Sequence, residues 1–522
     1  MRLPIGIQTF EKIRTSDYHY VDKTGHLLEL IRANEYYFLS RPRRFGKSLL
    51  VDTLRELFSG NEPLFRGLAI HPHWDWADRH PVVLIPFGRG MIESRKRLDE
   101  KIRIFLDEIA EEEGLTLARE APADRFYELI RALCEKHRRR VAILVDEYDK
   151  PILDNLLRPG AAREIREGLR DFYAVIKDAD RYVRFAFITG VSKFSKVSLF
   201  SGLNNLADIT LSPGAATLCG YTEAEFRDTF AHHLEGLDLA EVARWYDGYN
   251  FLGERVYNPF DALLFLKDRK FRPYWFETAT PTFLIRLLEA RPYPIPRMES
   301  LKASEALLSD FDVDRIHLET LLFQTGYLTI RKAREMAGTT QYELTYPNRE
   351  VKASLTDVIL QHLVSDAREK AEAQLALYEL LEKNDLDGLR DLFHRFFAGI
   401  PNDWYRRNRL AGYEGYYASV IYCYFAALGL DVTAEDHTNH GRIDLSVRFR
   451  DRVYLIEFKV AELADAGNAL EQLKAMKYHE KYADRETWLI GVSFSSRDRN
   501  VVGFDWEKAE TGNFPAGQDK SI

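Results

Sequence analysis

Asp444, Glu457 and Lys459 are the residues whose types and spacing most directly imply chemistry. Gly441-Arg442-Ile443-Asp444 precedes Val453-Tyr454-Leu455-Ile456-Glu457-Phe458-Lys459, and both segments alternate as strands. In the first, Ile443, Leu445, Val447 and Phe449 point one way and Asp444, Ser446 and Arg448 the other. In the second, Tyr454, Ile456, Phe458 and Val460 share a face opposite Glu457 and Lys459. A hairpin closed through Arg450-Asp451 matches the apolar faces only in registers that bring Asp444 onto the face of Glu457, and the simplest sets the two acids directly across from each other. Two carboxylates about 5 Å apart repel, so the pair calls for a cation. Asp444, Glu457 and the Phe458 carbonyl form an oxygen-only ligand set suited to magnesium or manganese. Lys459 would stand beside the ion and orient or polarise a water, the chemistry of metal-dependent phosphodiester hydrolysis. An exposed hairpin with charges on its wet face shows much of the same pattern, so the surrounding elements decide.

Glu414 opens an apolar run, 415–428, that ends at Gly429 and predicts a buried helix with a glycine stop. Leu430-Asp431-Val432 begins an edge segment, and a helical stretch from Asn468 to Tyr482 carries Gln472 and Tyr478. Helix, strands bearing the acids, then helix resembles the PD-(D/E)XK nuclease superfamily. The resemblance assigns Asp444 and Glu457-Phe458-Lys459 to its central motif, and Glu414 and Gln472 to its accessory catalytic positions. It also implies cleavage that leaves a 5′-phosphate. The Gln-x3-Tyr spacing of the RecB-like subgroup is not met, because Met476 holds that place and the tyrosine comes at 478.

A second constellation lies near the N-terminus. Tyr36-Tyr37-Phe38-Leu39 reads as a short buried strand running into Ser40-Arg41-Pro42-Arg43-Arg44-Phe45-Gly46-Lys47-Ser48 and then a helix. That order suits a phosphate-binding loop, in which backbone N–H groups and a helix N-terminus cradle phosphates, Lys47 reaches the terminal ones and the Ser48 hydroxyl ligates magnesium. Arg41 stands where the usual first glycine would be and would either compromise tight wrapping or add a cationic contact to the nucleotide, and a basic surface turn is the plain alternative to the whole loop. Val141 to Val145 is a continuous apolar strand ending in Asp146-Glu147, which would hold magnesium through water and polarise the attacking water, respectively. Residues 82–85 and 185–189 add two core strands, the second ending in Thr189 at a γ-phosphate sensor position or as a turn cap.

Tyr20-Val21-Asp22-Lys23-Thr24, the Arg41–Ser48 loop, Asp146-Glu147-Tyr148-Asp149-Lys150-Pro151 and Thr189-Gly190-Val191-Ser192-Lys193-Phe194-Ser195 resemble the AAA-ATPase-like family. That family is commonly joined to a C-terminal PD-(D/E)XK nuclease domain in bacteria and archaea, and Arg41 belongs to its own form of the loop. By the same resemblance Tyr20 lies near the adenine.

The fold class expected is therefore a multidomain α/β protein. A P-loop parallel-sheet domain would span 1–215, a helical lid 216–300, a winged-helix-like and helical connector 301–400, and a PD-(D/E)XK nuclease fold 401–522. Thr222 caps a lid helix with Glu225 at the capping-box position. Tyr246-Asp247-Gly248-Tyr249-Asn250 reads as a turn whose aromatics pack the lid rather than touch nucleotide. Leu318–Phe323, Tyr327–Ile330 and Tyr342–Tyr346 give a helix–strand–strand silhouette. A winged-helix module of this kind either binds DNA or packs against neighbouring elements, and without a basic run on its helix the packing role is the expectation here. Arg406, Arg407 and Arg409 before Glu414 form either a phosphate-contacting patch or a solvated loop.

Composition sets the bounds. With 522 residues, 46% hydrophobic and 30% charged, the chain is a multidomain globular protein. A formal charge of −8 confines any polyanion site to a local patch. Three scattered cysteines, Cys134, Cys219 and Cys423, fit a reducing compartment and offer no zinc set. No signal-peptide or transmembrane-length apolar run appears, so the expected location is cytoplasmic. The combined expectation is an ATP- and Mg2+- (or Mn2+-) dependent protein whose P-loop domain regulates or powers a nuclease on nucleic acid, DNA before RNA, with no membrane partner. The rival is an ATP-regulated switch that binds nucleic acid without cutting it. In a homo-oligomer, Arg163, Arg166, Arg170 or Arg184 could face a neighbour's nucleotide.

Overall fold

The computed structural model describes residues 1–193, 199–200, 203, 205–275, 295–309, 317–364, 366–398, 414–438, 441–462 and 468–509. They divide into two compact units, residues 1–279 with 302–348, and residues 280–301 with 349–522.

In the first unit five parallel strands form one sheet: β1 (Tyr36–Ser40), β2 (Val82–Pro86), β3 (Val141–Asp146), β4 (Val183–Gly190) and β5 (Ala207–Asp208). Their order is β2-β3-β4-β1-β5. All of β1 and all but the last residue of β3 are buried, as a sheet covered on both faces requires. The crossovers carry helices α1 (Lys47–Phe58), α2 (Arg95–Glu112), α3 (Pro122–His137) and α4 (Pro159–Asp178). Because β4 lies between β1 and β3, the loop after β1 and the acids after β3 emerge on either side of it. Ligands of open α/β sheets bind at such carboxyl ends.

Beyond β5 the strand–helix alternation stops, as the sequence predicts. Helices α5 (Glu223–Thr229), α6 (Leu239–Tyr246) and α7 (Pro259–Asp268) gather around Phe226, Phe230, Val242, Tyr246, Tyr257 and Phe265. The capping box is present: Thr222 Oγ1 accepts the Glu225 N–H at 3.2 Å, and the Glu225 carboxylate accepts the Thr222 N–H at 2.8 Å. A three-stranded sheet, β6 (Leu301–Ser304), β7 (Thr329–Met336) and β8 (Thr339–Thr345), has the order β6-β8-β7, with helix α8 (Leu318–Thr325) before β7. β7 runs well past the expected Ile330 through polar residues exposed on both faces, which show no apolar alternation to read.

The second unit begins with helices α9 (Arg349–Leu363), α10 (Ala367–Lys383), α11 (Leu386–Ala398) and α12 (Glu414–Ala427). A mixed sheet follows: β9 (Asp431–Thr438), β10 (Gly441–Phe449), β11 (Arg452–Val460), β12 (Glu486–Ser495) and β13 (Asn500–Lys508), in the order β13-β12-β11-β10-β9. Only β11 and β12 run parallel, and their crossover carries helix α13 (Ala469–Ala475). Tyr417 of α12 stacks on Phe494 at 4.5 Å, and Phe458 lies 5.8 Å from the same ring. α13 packs Leu470 and Leu473 against Val453 and Leu455.

The helix expected over Asn468–Tyr482 is interrupted. α13 ends at Ala475, Lys477 turns left-handed at φ 48°, and a 3-10 turn covers Tyr478–Tyr482. A straight helix would rotate Tyr478 about 140° away from the face of Leu473. The break returns Tyr478 and Tyr482 to the core that Leu473 occupies. Among the described residues no helix is long and apolar enough to cross a membrane.

Candidate active sites

The loop after β1 requires two left-handed residues, Arg44 at φ 68° and Gly46 at φ 87°, before α1 begins at Lys47. It borders a cavity of about 400 Å³ lined by Arg43, Arg44, Phe45, Gly46, Lys47 and Ser48. Tyr20, Val21, Lys23, Glu147, Asp149 and Tyr221 also line it, and the volume is within the range of small-molecule sites. Lys47 Nζ donates to the carbonyls of Arg41 and Pro42 at 2.9 and 2.8 Å, and burial pushes its pKa down. Ser48 lies beside the Asp146 carboxylate, where its hydroxyl favours the charged form, and Asp146 Oδ1 is buried without a hydrogen-bond partner. Burial raises the pKa of Asp146 and of Glu147, the latter also through the charge of Asp146. Glu147 sits at φ 54°, a strained angle for a non-glycine residue. A Cβ at Gly88 would lie 2.8 Å from Glu147 Oε2, so that glycine makes room for the carboxylate. Tyr20 is buried against Phe10, which raises its phenol pKa.

Three residues of the nucleotide set point elsewhere. The Arg41 guanidinium is fully buried beneath the loop, donating to the carbonyls of Ser40, Thr210 and Ala215 at 2.9, 2.8 and 2.8 Å. It also stacks 3.9 Å over Phe251. Pro42 packs toward Gly326, where a Cβ would approach its own Cβ to 2.6 Å. The Thr189 hydroxyl donates to the Leu39 carbonyl at 2.8 Å, joining β4 to β1. The aromatics of the 246–250 turn pack, as expected, and they do so under the loop. Phe45 meets Tyr249 edge-on at 4.8 Å and Phe251 at 5.9 Å.

Asp149 carried no role in the sequence reading. It is fully buried and accepts from Val191 N, Ser192 N and Ser192 Oγ at 3.2, 2.7 and 2.6 Å, tying the end of β3 to the segment after β4. Its motif position, three residues past Asp146, was the available signal. Lys23 contacts both oxygens of Glu225, at 2.6 and 2.5 Å, linking the cavity wall to helix α5.

In the second unit β10 and β11 pair from Phe449–Arg452 to Leu445–Ile456 around the two-residue turn Arg450-Asp451. The ladder ends one step short of Asp444 and Glu457, which the same count would place across from each other. Asp444 Oδ2 accepts the Phe458 N–H at 2.9 Å, which fixes its carboxylate at the crossing. Glu457 is only 2% exposed, under α13, whose Gln472 Nε2 donates to Glu457 Oε1. Lys459 Nζ lies 3.9 Å from the same oxygen. Burial raises the pKa of Asp444, opposed by the Phe458 N–H and by Lys459 and Arg442. These acids are not on a wet face.

A seven-residue helix cannot hold itself in water. α13 is held because Leu470 and Leu473 are buried, worth about 1.5–3 kcal/mol each. The Asn468 carboxamide oxygen adds a cap, accepting from Leu470 N at 2.9 Å and Glu471 N at 3.4 Å. Gly491 pairs with Glu457 on β12, and a Cβ there would come within 2.5 Å of Leu470 N. That glycine lets the helix descend far enough for Gln472 to reach Glu457. Tyr478 also belongs to the site. Its phenol pKa is raised by burial and then by the charges of Glu457 and Asp444, and a Cβ at Gly441 would lie 2.7 Å from its hydroxyl. Glu414 opens α12, but its side chain, like all of Arg406, Arg407 and Arg409, lies outside the described residues.

Comparison with known proteins locates both constellations inside recognised families. Residues 4–200 match the AAA-ATPase-like family, described as a predicted AAA-ATPase. Residues 412–504 match the PD-(D/E)XK nuclease superfamily. Over 506 residues, 96% of this chain and 98% of the relative, the sequence is 56% identical to a protein of Azotobacter chroococcum mcd 1 described as an uncharacterized protein in the vnfD 5′ region.

Proposed function

Because the chain belongs to the family that joins an AAA-ATPase-like domain to a C-terminal PD-(D/E)XK nuclease superfamily domain, we propose that it is a magnesium- or manganese-dependent nuclease acting on DNA under the control of ATP. The observation that carries this reading is the burial of Glu457 beside Asp444, with Gln472 and Lys459 on the same carboxylate. Buried like charges are costly without a counter-ion, so the arrangement suits a cation. Among the described residues no three His, Cys, Asp or Glu side chains form a cage. The Phe458 carbonyl, substrate phosphate and water would complete a hard-cation shell.

A metal ion bound there supplies charge neutralisation at the scissile phosphate and a more acidic water. Asp444 and Glu457 hold the ion, Gln472 fixes the Glu457 carboxylate, and Lys459 orients the water. In the first unit Lys47 exchanges the carbonyls of Arg41 and Pro42 for the terminal phosphates, which the N–H groups of residues 43–48 also cradle. Ser48 and Asp146 fit a magnesium ion, the orphaned Asp146 Oδ1 being a ready acceptor site. Glu147, made more basic by burial, takes the proton of the attacking water. Tyr20 and Val21 face the base. Arg41 acts through the loop, not on the phosphate.

Cleavage of end-labelled DNA with magnesium or manganese tests the proposal. Wild type should cut and leave 5′-phosphate, Asp444→Ala should fall to background while still binding ATP, and Gln472→Ala should lose about 10–100-fold as an outer-shell residue does. Nucleic-acid binding that responds to ATP without any cleavage would replace the nuclease with the binding switch.

A further inference from the structure

The last six residues of β7 have no core beneath them, although Tyr342 and Leu344 of the neighbouring β8 are buried. Arg331 through Met336 are all exposed, on both faces of the ribbon, and Met336 at the tip is 58% exposed. A bulge at Arg331 sets the register beyond it, pairing Lys332 with Glu343, Arg334 with Gln341 and Met336 with Thr339. One face therefore carries Lys332, Arg334 and Met336 beside Glu343, Gln341 and Thr339. Arg331 reaches Glu343 at 3.5 Å, and Glu335 is the remaining charge on β7. Helix α8, by contrast, is buried at Leu318, Thr320, Leu321, Leu322, Phe323 and Gln324, so it has no free face to present.

We propose that this β7–β8 arm is a docking element for duplex DNA, with Lys332 and Arg334 on phosphates and Gln341 toward a base edge. The inference rests on the nuclease reading of the second unit, since it names a contact for that substrate. In a chain of net charge −8, Arg331, Lys332 and Arg334 outnumber the ribbon's own acids, Glu335 and Glu343, and leave a small local excess of the sign a polyanion attracts. The six exposed residues of β7 extend about 20 Å at strand rise. The major groove of B-form DNA, about 12 Å wide, admits a two-stranded ribbon, whereas the deep, narrow groove of duplex RNA does not. The competing role of such charges is to keep the edge strand β7 from pairing with other chains.

The test is fluorescence-anisotropy titration of a DNA duplex with full-length protein over a range of salt, using wild type, Lys332→Gln/Arg334→Gln, and Lys96→Gln/Arg103→Gln as a matched charge control on the exposed face of α2. The arm variant should bind on the order of tenfold more weakly at low salt, with the slope of log K against log salt reduced by about two. The control should match wild type. Equal binding by the arm variant, with wild-type binding and cleavage intact, would assign the charges to edge protection and leave the nuclease reading standing. Duplex RNA bound as tightly as DNA would overturn the occupant, and a wild type that neither binds nor cuts DNA would overturn both readings.

Discussion

Arg41 occupies a glycine's usual place in the loop, and its guanidinium faces inward to three carbonyls and the ring of Phe251. Removing it takes a donor from three buried carbonyls, of which that of Ala215 keeps the Leu218 N–H at 3.2 Å. Each of the other two costs about 1 kcal/mol or more, and the packing and cation–π contact with Phe251 are forfeited besides. Arg41→Ala is therefore expected to destabilise the protein by about 3 kcal/mol or more in urea unfolding. Arg41→Lys, without a planar fork, should recover only part of that. A loss below about 1 kcal/mol for Arg41→Ala would contradict the clamp. From sequence, Arg41 was placed correctly in the chain but read toward the ligand, because a cation in a phosphate loop has two possible directions and spacing does not distinguish them. Thr189 has the same ambiguity, and its hydroxyl joins two strands. Lys47, Ser48 and Glu147 were legible because their positions follow from strand ends and a helix start, which the apolar runs mark clearly.

At the scale of elements, the hairpin of Asp444 and Glu457 was the most readable part, since period-2 alternation and a two-residue turn leave few registers. What covers it was less readable. α13 breaks after Ala475, so Tyr478 reaches the acids two residues later than an unbroken pattern would place it. Gly491 has no pattern at all, because its meaning lies in the backbone of α13 pressing on it. Gly491→Ala should lift α13, separate Gln472 from Glu457 and reduce cleavage about 10–100-fold, by the same outer-shell logic. ATP binding should be unchanged. Full cleavage by Gly491→Ala, with α13 amides as protected from hydrogen exchange as in wild type, would show that the close approach is not needed. In the β7–β8 hairpin the inner ends, Tyr327–Ile330 and Tyr342–Tyr346, are legible, but the extension of β7 over 331–336 is not, because exposed residues carry no apolar period.

Across the whole molecule, an AAA-ATPase-like domain and a PD-(D/E)XK nuclease superfamily domain belong to one chain. In the proposed function the first governs the second. Wild type, Lys47→Ala and Glu457→Ala should each be given labelled duplex DNA with magnesium, with and without ATP. ATP should change the cleavage rate of wild type, Lys47→Ala should cut at a rate indifferent to ATP, and Glu457→Ala should bind ATP but not cut. Equal cleavage by wild type with and without ATP would contradict control by nucleotide, and cleavage retained in Glu457→Ala would contradict the nuclease site itself.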